Sequence, residues 1–414
     1  MVLGTLPGMT LAPPGPRGDC ICFSHLRWNF VYQRPQHLLS RCARERRVFF
    51  FAEPAFDAVD RPHLTTTVDA SGVVVVVPHL RGDQDAASIA ASLRFLLDSL
   101  IETERIQPGV LWYYTPMALT FSDHLDAPAI VYDCMDELSG FVGAPAGLRD
   151  AENALLARAG VVFTGGRSLY EAKRHRHRNI HAFPSSVDVP HFARARTRSG
   201  PEPADQASIA HPRLGFYGVV DERLDRDLIA AAAALRPEWQ FVIVGPVVKI
   251  DPATLPRAAN LHYLGPKSYE VLPDYLAGWD VALLPFARND ATRYISPTKT
   301  PEYLAAGCPV VSTSIRDVVR PYGELRLAHI ADDPGAFVAA CDAALAEDPA
   351  ERQRTADALL GRMSWDATWT AMADLIARIP GKDSSPCSIT SSLVPVSPER
   401  SWPSASPRAP ERRY

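Results

Sequence analysis

The stretch Ser296-Pro-Thr-Lys-Thr-Pro-Glu302-Tyr-Leu-Ala-Ala-Gly307-Cys-Pro-Val-Val-Ser-Thr313 reads as a polar turn, a short helix, a glycine stop and a buried strand. A turn that feeds a helix start presents unpaired backbone N–H groups and the positive end of the helix dipole. Such a place suits an anion, and phosphate above all. Glu302 falls about one turn into the helix, where a carboxylate can accept hydrogen bonds from neighbouring hydroxyls. Phosphate donors beside a hydroxyl-binding carboxylate point to a site for a nucleoside diphosphate.

The same strand-and-helix alternation extends in both directions. Upstream, Asp19–Ser24, Val48–Ala52, Val73–Val77, Val110–Tyr114, Ala129–Asp133 and Val161–Phe163 read as strands. Gln36–Arg46, Ala86–Glu104 and Leu148–Ala159 read as helices between them. The pattern breaks at Phe183-Pro-Ser-Ser-Val-Asp188 and a polar stretch runs to about His211. A second series follows, with strands at Arg213–Tyr217, Gln240–Gly245, Asn260–Leu264, Asp280–Pro285 and Pro309–Thr313. Asp225–Leu235 and Ser268–Ala277 read as its helices. Short apolar strands alternating with helices predict parallel sheets covered on both faces, here an α/β fold of two doubly wound domains. Ser364–Ile376 reads as a capped amphipathic helix, with Trp365, Trp369, Met372 and Ile376 on one face.

Composition sets the bounds. A chain of 414 residues, 47% hydrophobic and 22% charged, is globular and large enough for two cores. A net charge of −4 argues against a general nucleic-acid binder. The longest apolar runs are strand-sized, and Met1–Gly18 lacks the pattern of a signal peptide, so a cytoplasmic protein is expected. The seven cysteines include no CxxC pair, so free buried thiols are expected and no metal site.

Four motifs together resemble the GT-B glycosyltransferases of the family 1/4 type. They are Ser24-His-Leu-Arg-Trp-Asn-Phe-Val-Tyr-Gln-Arg34-Pro-Gln-His37, Val131-Tyr-Asp-Cys-Met-Asp136-Glu, Pro184-Ser-Ser-Val-Asp188 and Ser296-Pro-Thr-Lys-Thr-Pro-Glu302-Tyr. The resemblance is to a bacterial branch of cell-surface polysaccharide enzymes that includes a teichuronic acid glycosyltransferase. It covers roughly residues 19–378. It implies two Rossmann-like domains facing a cleft: an acceptor domain over 19–190, a linker over 191–211 and a nucleotide-sugar donor domain over 212–362. A crossover helix over 363–379 returns to the first domain. The segments 1–18 and 380–414 are expected to be disordered. The implied reaction is retaining transfer of a hexosyl group from a UDP- or GDP-sugar to a cell-envelope or exopolysaccharide glycan. No cofactor is implied, and the glycan is expected to be free or lipid-linked. The basic run Lys173–Arg178 would allow peripheral contact with the inner membrane face, or simply form a solvated helix end.

The resemblance assigns Glu302 to the ribose hydroxyls. The family's first glutamate of that pair falls at Tyr294, and its cleft histidine falls at Met135. Gly218, Lys249, Ser296, Thr298 and Glu302 are the expected donor contacts. Asp136, Arg223 and Lys299 are the expected catalytic groups, because positioned cations offset the charge of a departing diphosphate. Trp28, Arg34 and Gln36 are the expected acceptor-side contacts. Alternatively, Arg34 pairs with a carboxylate and His37 faces solvent. Two rival functions share the fold: a nucleotide-sugar epimerase, and a non-catalytic module that binds a glycan. A nicotinamide oxidoreductase fits less well, because no G-x-G-x-x-G follows either domain's first strand.

Overall fold

The computed structural model describes residues 17–197 and 200–380, which form one compact unit. Most of the expected N-terminal segment, the tail beyond 380 and Cys387 lie outside the described residues. Two sheets organise the chain. The first holds β1 (Asp19–Phe23), β2 (Val48–Phe51), β3 (Ala55–Phe56), β4 (His63–Val68), β5 (Val74–Leu80), β6 (Pro108–Tyr113), β7 (Ala129–Cys134), β8 (Val161–Thr164) and β9 (Ile180–Ala182). Its order is β3-β5-β2-β1-β6-β7-β8-β9, with β4 pairing β5 antiparallel and every other pairing parallel.

The second sheet holds β10 (Arg213–Tyr217), β11 (Gln240–Val244), β12 (Leu261–Gly265), β13 (Val281–Leu284), β14 (Val310–Ser312) and β15 (His329–Ile330). It is parallel throughout, in the order β12-β11-β10-β13-β14-β15. Strands such as β1, β2, β8 and β13 are buried along their whole length, as apolar runs covered on both faces must be. The strand order reverses beside β1 in the first sheet and beside β10 in the second. Doubly wound folds bind ligands at the carboxyl ends of strands at such reversals. The segments after β1 and β10 are therefore the places to look for a site.

The helix Trp365–Ala377 docks on the first domain, although it follows the second in sequence. Ser364 caps it by accepting the Ala367 N–H at 3.0 Å. Trp365 stacks on His37 with ring centroids 4.4 Å apart, and Trp369 stacks on Trp112. Arg41 and Arg44 of the first domain both reach Asp366. Each buried aromatic contributes about 1.5–3 kcal/mol of apolar burial, so this helix ties the chain's end to its beginning.

Several expectations need correction. In the expected linker 191–211, the described parts pack against the second domain. Phe192 and Ile209 sit in the second core, and Gln206 is buried with its carbonyl oxygen on the Trp279 indole N–H at 2.9 Å. Ser268–Ala277 is a 3-10 turn followed by a short helix, Leu272–Leu276, because Pro273 starts the helical turn afresh. The basic run is largely engaged. Lys173 is buried between Glu137 and Glu152 at 2.7 and 2.6 Å, and Arg176 also binds Glu152. Only Arg174, His175 and Arg178 of that run are exposed. Among the described residues, six cysteines are free and buried, and no helix is long and apolar enough to cross a membrane.

Candidate active site

A cleft of about 480 Å³ lies between the two domains, at the carboxyl ends of β1, β7, β10 and β11. Glycine shapes its floor. Gly218 and Gly245, after β10 and β11, both hold φ of +145°. A Cβ on Gly245 would strike the carbonyl oxygen of Gly218, so these two loops meet backbone to backbone. A Cβ on Gly218 would strike the Lys299 side chain, which lies across it. The conformation thus needs glycine, and glycine lets the lysine stem cross.

The helix Lys299–Ala306 opens at this floor and stops at Gly307, whose φ of +86° forms a left-handed cap. Glu302 is 6% exposed, and its carboxylate accepts the hydroxyl of Tyr217. Burial pushes its pKa up to about 7, against the pull of the Tyr217 hydrogen bond and Lys299. Burial also lowers the Lys299 ammonium below the usual lysine range, with Glu302 opposing that shift. Ser296 lines the cleft and hydrogen-bonds Asp317. Thr298 also lines the cleft; it occupies the helix N-cap position without making a side-chain capping bond.

Arg223 turns its guanidinium onto Asp221, with the Nη2–Oδ2 contact at 2.7 Å. Burial works against its charge, but Asp221, with Asp136 and Glu222, holds it above the usual range. Asp136 enters from the first domain after β7. Burial raises its carboxyl, while Arg223, Lys299 and Lys249 of the second domain pull the other way. One carboxylate of the first domain thus faces three cations of the second. Among the described residues, no group of three or more His, Cys, Asp or Glu side chains is arranged to hold a metal ion.

The expected acceptor-side residues Trp28, Arg34 and Gln36 line the cleft and are also tied into the fold. Arg34 is 3% exposed and grips Asp133 with Nε and Nη2 at 2.9–3.1 Å, while Nη1 donates to the Phe183 carbonyl. This agrees with the alternative of a carboxylate partner for Arg34. Gln36 donates to the carbonyls of Trp28 and Val31 and accepts the Gln33 N–H, which pins the loop from within. Trp28 packs edge-on against Phe50. His37 does not face solvent: it is buried against Trp365, and its pKa is pushed down to about 3 by burial. The same loop instead exposes Phe30 and Tyr32 along the cleft.

Sequence reasoning missed the aromatic groups of the site. Tyr32 of the first domain stacks on Tyr269 of the second at 4.5 Å, and Tyr269 stacks on His191 at 4.2 Å. The Tyr269 hydroxyl is buried without a hydrogen-bond partner. His25, after β1, is half-buried, with its Nδ1 buried and unpartnered; burial and then Lys249 lower its pKa to about 4. The one available signal was position, since each of these residues follows a strand at the carboxyl edge. The domains also meet away from the cleft floor. Asp317 of the second domain accepts the backbone N–H groups of Arg167 and Ser168 of the first, both at 2.9 Å.

Comparison with known proteins fits this geometry. Residues 211–347 match the family model described as Glycosyl transferases group 1. A Bacillus subtilis (strain 168) protein, TuaH, assigned to teichuronic acid biosynthesis as a glycosyltransferase, is 25% identical over 259 residues. That match spans 58% of this chain and 64% of the relative, just under two thirds of its length. Among solved structures, Anabaena HepE in complex with UDP and glucose aligns with a TM-score of 0.61 at 15% identity. It covers 86% of this chain and 99% of its own. Sucrose-phosphate synthase from Thermosynechococcus elongatus aligns with a TM-score of 0.63 at 13% identity, covering 86% and 98%. The chain thus has the GT-B fold, and its second domain, over residues 211–347, matches the group 1 glycosyl transferases.

Proposed function

We propose that this protein transfers a hexosyl group from a UDP- or GDP-sugar to a cell-envelope glycan, with retention at the anomeric carbon. The observation that carries the reading is the cluster at the cleft floor. Glu302 sits in the first turn of a helix, and Lys299 crosses Gly218 with Arg223 nearby. A carboxylate flanked by cations and a helix start suits a ribose joined to a diphosphate. UDP in the HepE structure and teichuronic acid in the assignment of TuaH support the same choice of donor and acceptor class.

In this reading the bond from the anomeric carbon to the diphosphate oxygen breaks as the bond to the acceptor oxygen forms. The acceptor's hydroxyl proton passes to the departing phosphate. Arg223, Lys249 and Lys299 offset the negative charge that gathers there, which lowers the barrier without a protein base. Donor binding falls to the second domain, through Gly218, Lys249, Ser296, Thr298 and Glu302. Acceptor contact falls to the first domain, where Phe30 and Asn29 are exposed beside the cleft. Product analysis after incubation with UDP-glucose and GDP-mannose, with and without a glycan acceptor, tests the reading. Nucleotide release that rises with acceptor, with the sugar recovered on the glycan in its original anomeric form, is expected. An altered free sugar formed without acceptor would instead mark an epimerase.

A further inference from the structure

We propose that Phe141 is a positioning residue that couples the cations of the donor site to the first domain. The inference rests on the donor-site reading given above. Phe141 ends the turn Leu138–Gly140, on the loop that leads away from Asp136. Its ring centroid lies 5.6 Å from the guanidinium carbon of Arg223 and 5.2 Å from the ammonium of Lys249. The two cations sit on different loops of the second domain, one after β10 and the other after β11. One first-domain ring therefore spans both. The negative face of an aromatic ring attracts cations, and more strongly where water is displaced.

A second contact seats the same loop. A Cβ added to Gly140 would lie 2.8 Å from the backbone oxygen of Asp290, in the second domain. Only glycine lets the two backbones approach that closely. Lys249 holds a φ of +61°, a left-handed conformation that L-residues rarely adopt. His25, also from the first domain, lies within electrostatic reach of Lys249 and is held neutral near pH 7. Lys249 thus lies against the Phe141 ring, with an uncharged His25 within electrostatic reach.

These contacts exist only while the domains are together. A donor held by the second domain can bind without them. Transfer needs the two domains together, because in the proposed reading the acceptor sits on the first domain, and these contacts favour that arrangement. Phe141 therefore acts on turnover more than on donor affinity.

The test uses Phe141→Leu, which keeps apolar volume but loses the ring face, and Phe141→Tyr, which keeps the face. UDP, GDP and ADP are titrated into the full-length wild type and both variants by calorimetry. Release of nucleotide from the matching nucleotide-glucose is then followed. Phe141→Leu is expected to bind nucleotide within about twofold of wild type while kcat falls about 5- to 30-fold, the loss of two cation–ring contacts. Phe141→Tyr is expected to restore kcat. Gly140→Ala, which lifts the loop off Asp290 and leaves the ring intact, is expected to lower kcat in the same way. Wild-type kcat in Phe141→Leu, a loss carried wholly by nucleotide affinity, or an equal loss in Phe141→Tyr overturns the inference while leaving the donor site standing. A wild type that binds none of the three nucleotides overturns the donor-site reading, and this inference with it.

Discussion

The hydroxyl of Tyr217, at the end of β10, donates to the carboxylate of Glu302, in the first turn of the Lys299–Ala306 helix. Both side chains are buried, and 85 residues separate them in sequence. The bond joins the end of a central strand to the start of a helix, at the point where a donor nucleotide would lie. Tyr217→Phe removes the proton that the carboxylate accepts. A buried acceptor that loses its partner costs about 1–3 kcal/mol. Chemical denaturation at pH 8 is expected to show a loss of that size, with the slope against denaturant unchanged. Unaltered stability would mean that the bond is not made in solution.

Glu302 also sets a pH dependence. Its folded pKa of about 7 lies above the ordinary glutamate value. Between those two values the folded state holds a proton that the unfolded state has released, so stability falls as pH rises through that window. The contribution is fully present below the ordinary value and is gone above about pH 7. Glu302→Gln has no such titration. The variant is expected to gain thermal stability over wild type at pH 8 and to lose that advantage at pH 4.5. A difference that stays constant across this range would contradict a buried, raised carboxyl.

Nucleotide-sugar binding is expected to run the other way with pH. An ionised carboxylate accepts from two ribose hydroxyls, whereas the protonated form gives up part of that capacity. Affinity of wild type for a nucleotide-sugar is expected to rise as pH increases from 6 to 8. The affinity of Glu302→Gln, weaker throughout, is expected to stay flat. Calorimetry in a buffer series reads both.

The Arg34–Asp133 pair separates a structural role from a substrate contact. Breaking a buried ion pair on one side typically costs about 3–5 kcal/mol, because the other charge is left unpaired. Arg34→Met is expected to destabilise by that order. Arg34→Met combined with Asp133→Leu is expected to cost less than the two single changes added together. Thermal or denaturant unfolding of the three variants completes the cycle. A role for Arg34 in holding acceptor would instead leave stability near wild type.

Much of the fold was legible because parallel strands buried on both faces leave continuous apolar runs. Arg213–Tyr217 has the expected bounds, and most other expected strands fall within a residue or two of the observed ones. The edge pairing of β4 with β5 was not legible, since His63–Val68 alternates exposed His63, Thr65 and Thr67 with half-buried Leu64, Thr66 and Val68 and carries no long apolar run. The helices Pro334–Leu345 and Pro349–Leu360 were also missed, though Asp333 and Asp348 cap them and proline follows each cap. Glu302, Lys299 and Gly218, singled out from the turn–helix–strand pattern and the glycine after β10, line one cleft. What Arg34 and Gln36 touch was not readable. Asp133 becomes a neighbour of Arg34 only once β1 and β7 lie in the same sheet, and the Trp28 carbonyl meets Gln36 only once the loop after β1 folds back on the helix.

Phe30 is the exposed counterpart of those buried residues. It is 45% exposed beside the cleft, so Phe30→Ala is expected to change stability by no more than about 0.5 kcal/mol. Loss of an aromatic face that stacks on a sugar would raise KM for a glycan acceptor several-fold and leave nucleotide affinity intact. Steady-state kinetics with acceptor varied at saturating donor measures this. An unchanged acceptor KM would remove Phe30 from the acceptor path.

The most direct test of the donor site is calorimetric titration of UDP, GDP and ADP into wild type, Glu302→Ala and Glu302→Gln, with each variant's thermal midpoint recorded. The account predicts that at least one nucleotide binds the wild type and that both folded variants bind it at least about tenfold more weakly, a loss of about 1.4 kcal/mol. No binding to folded wild type, or equal binding by all three proteins, would contradict it.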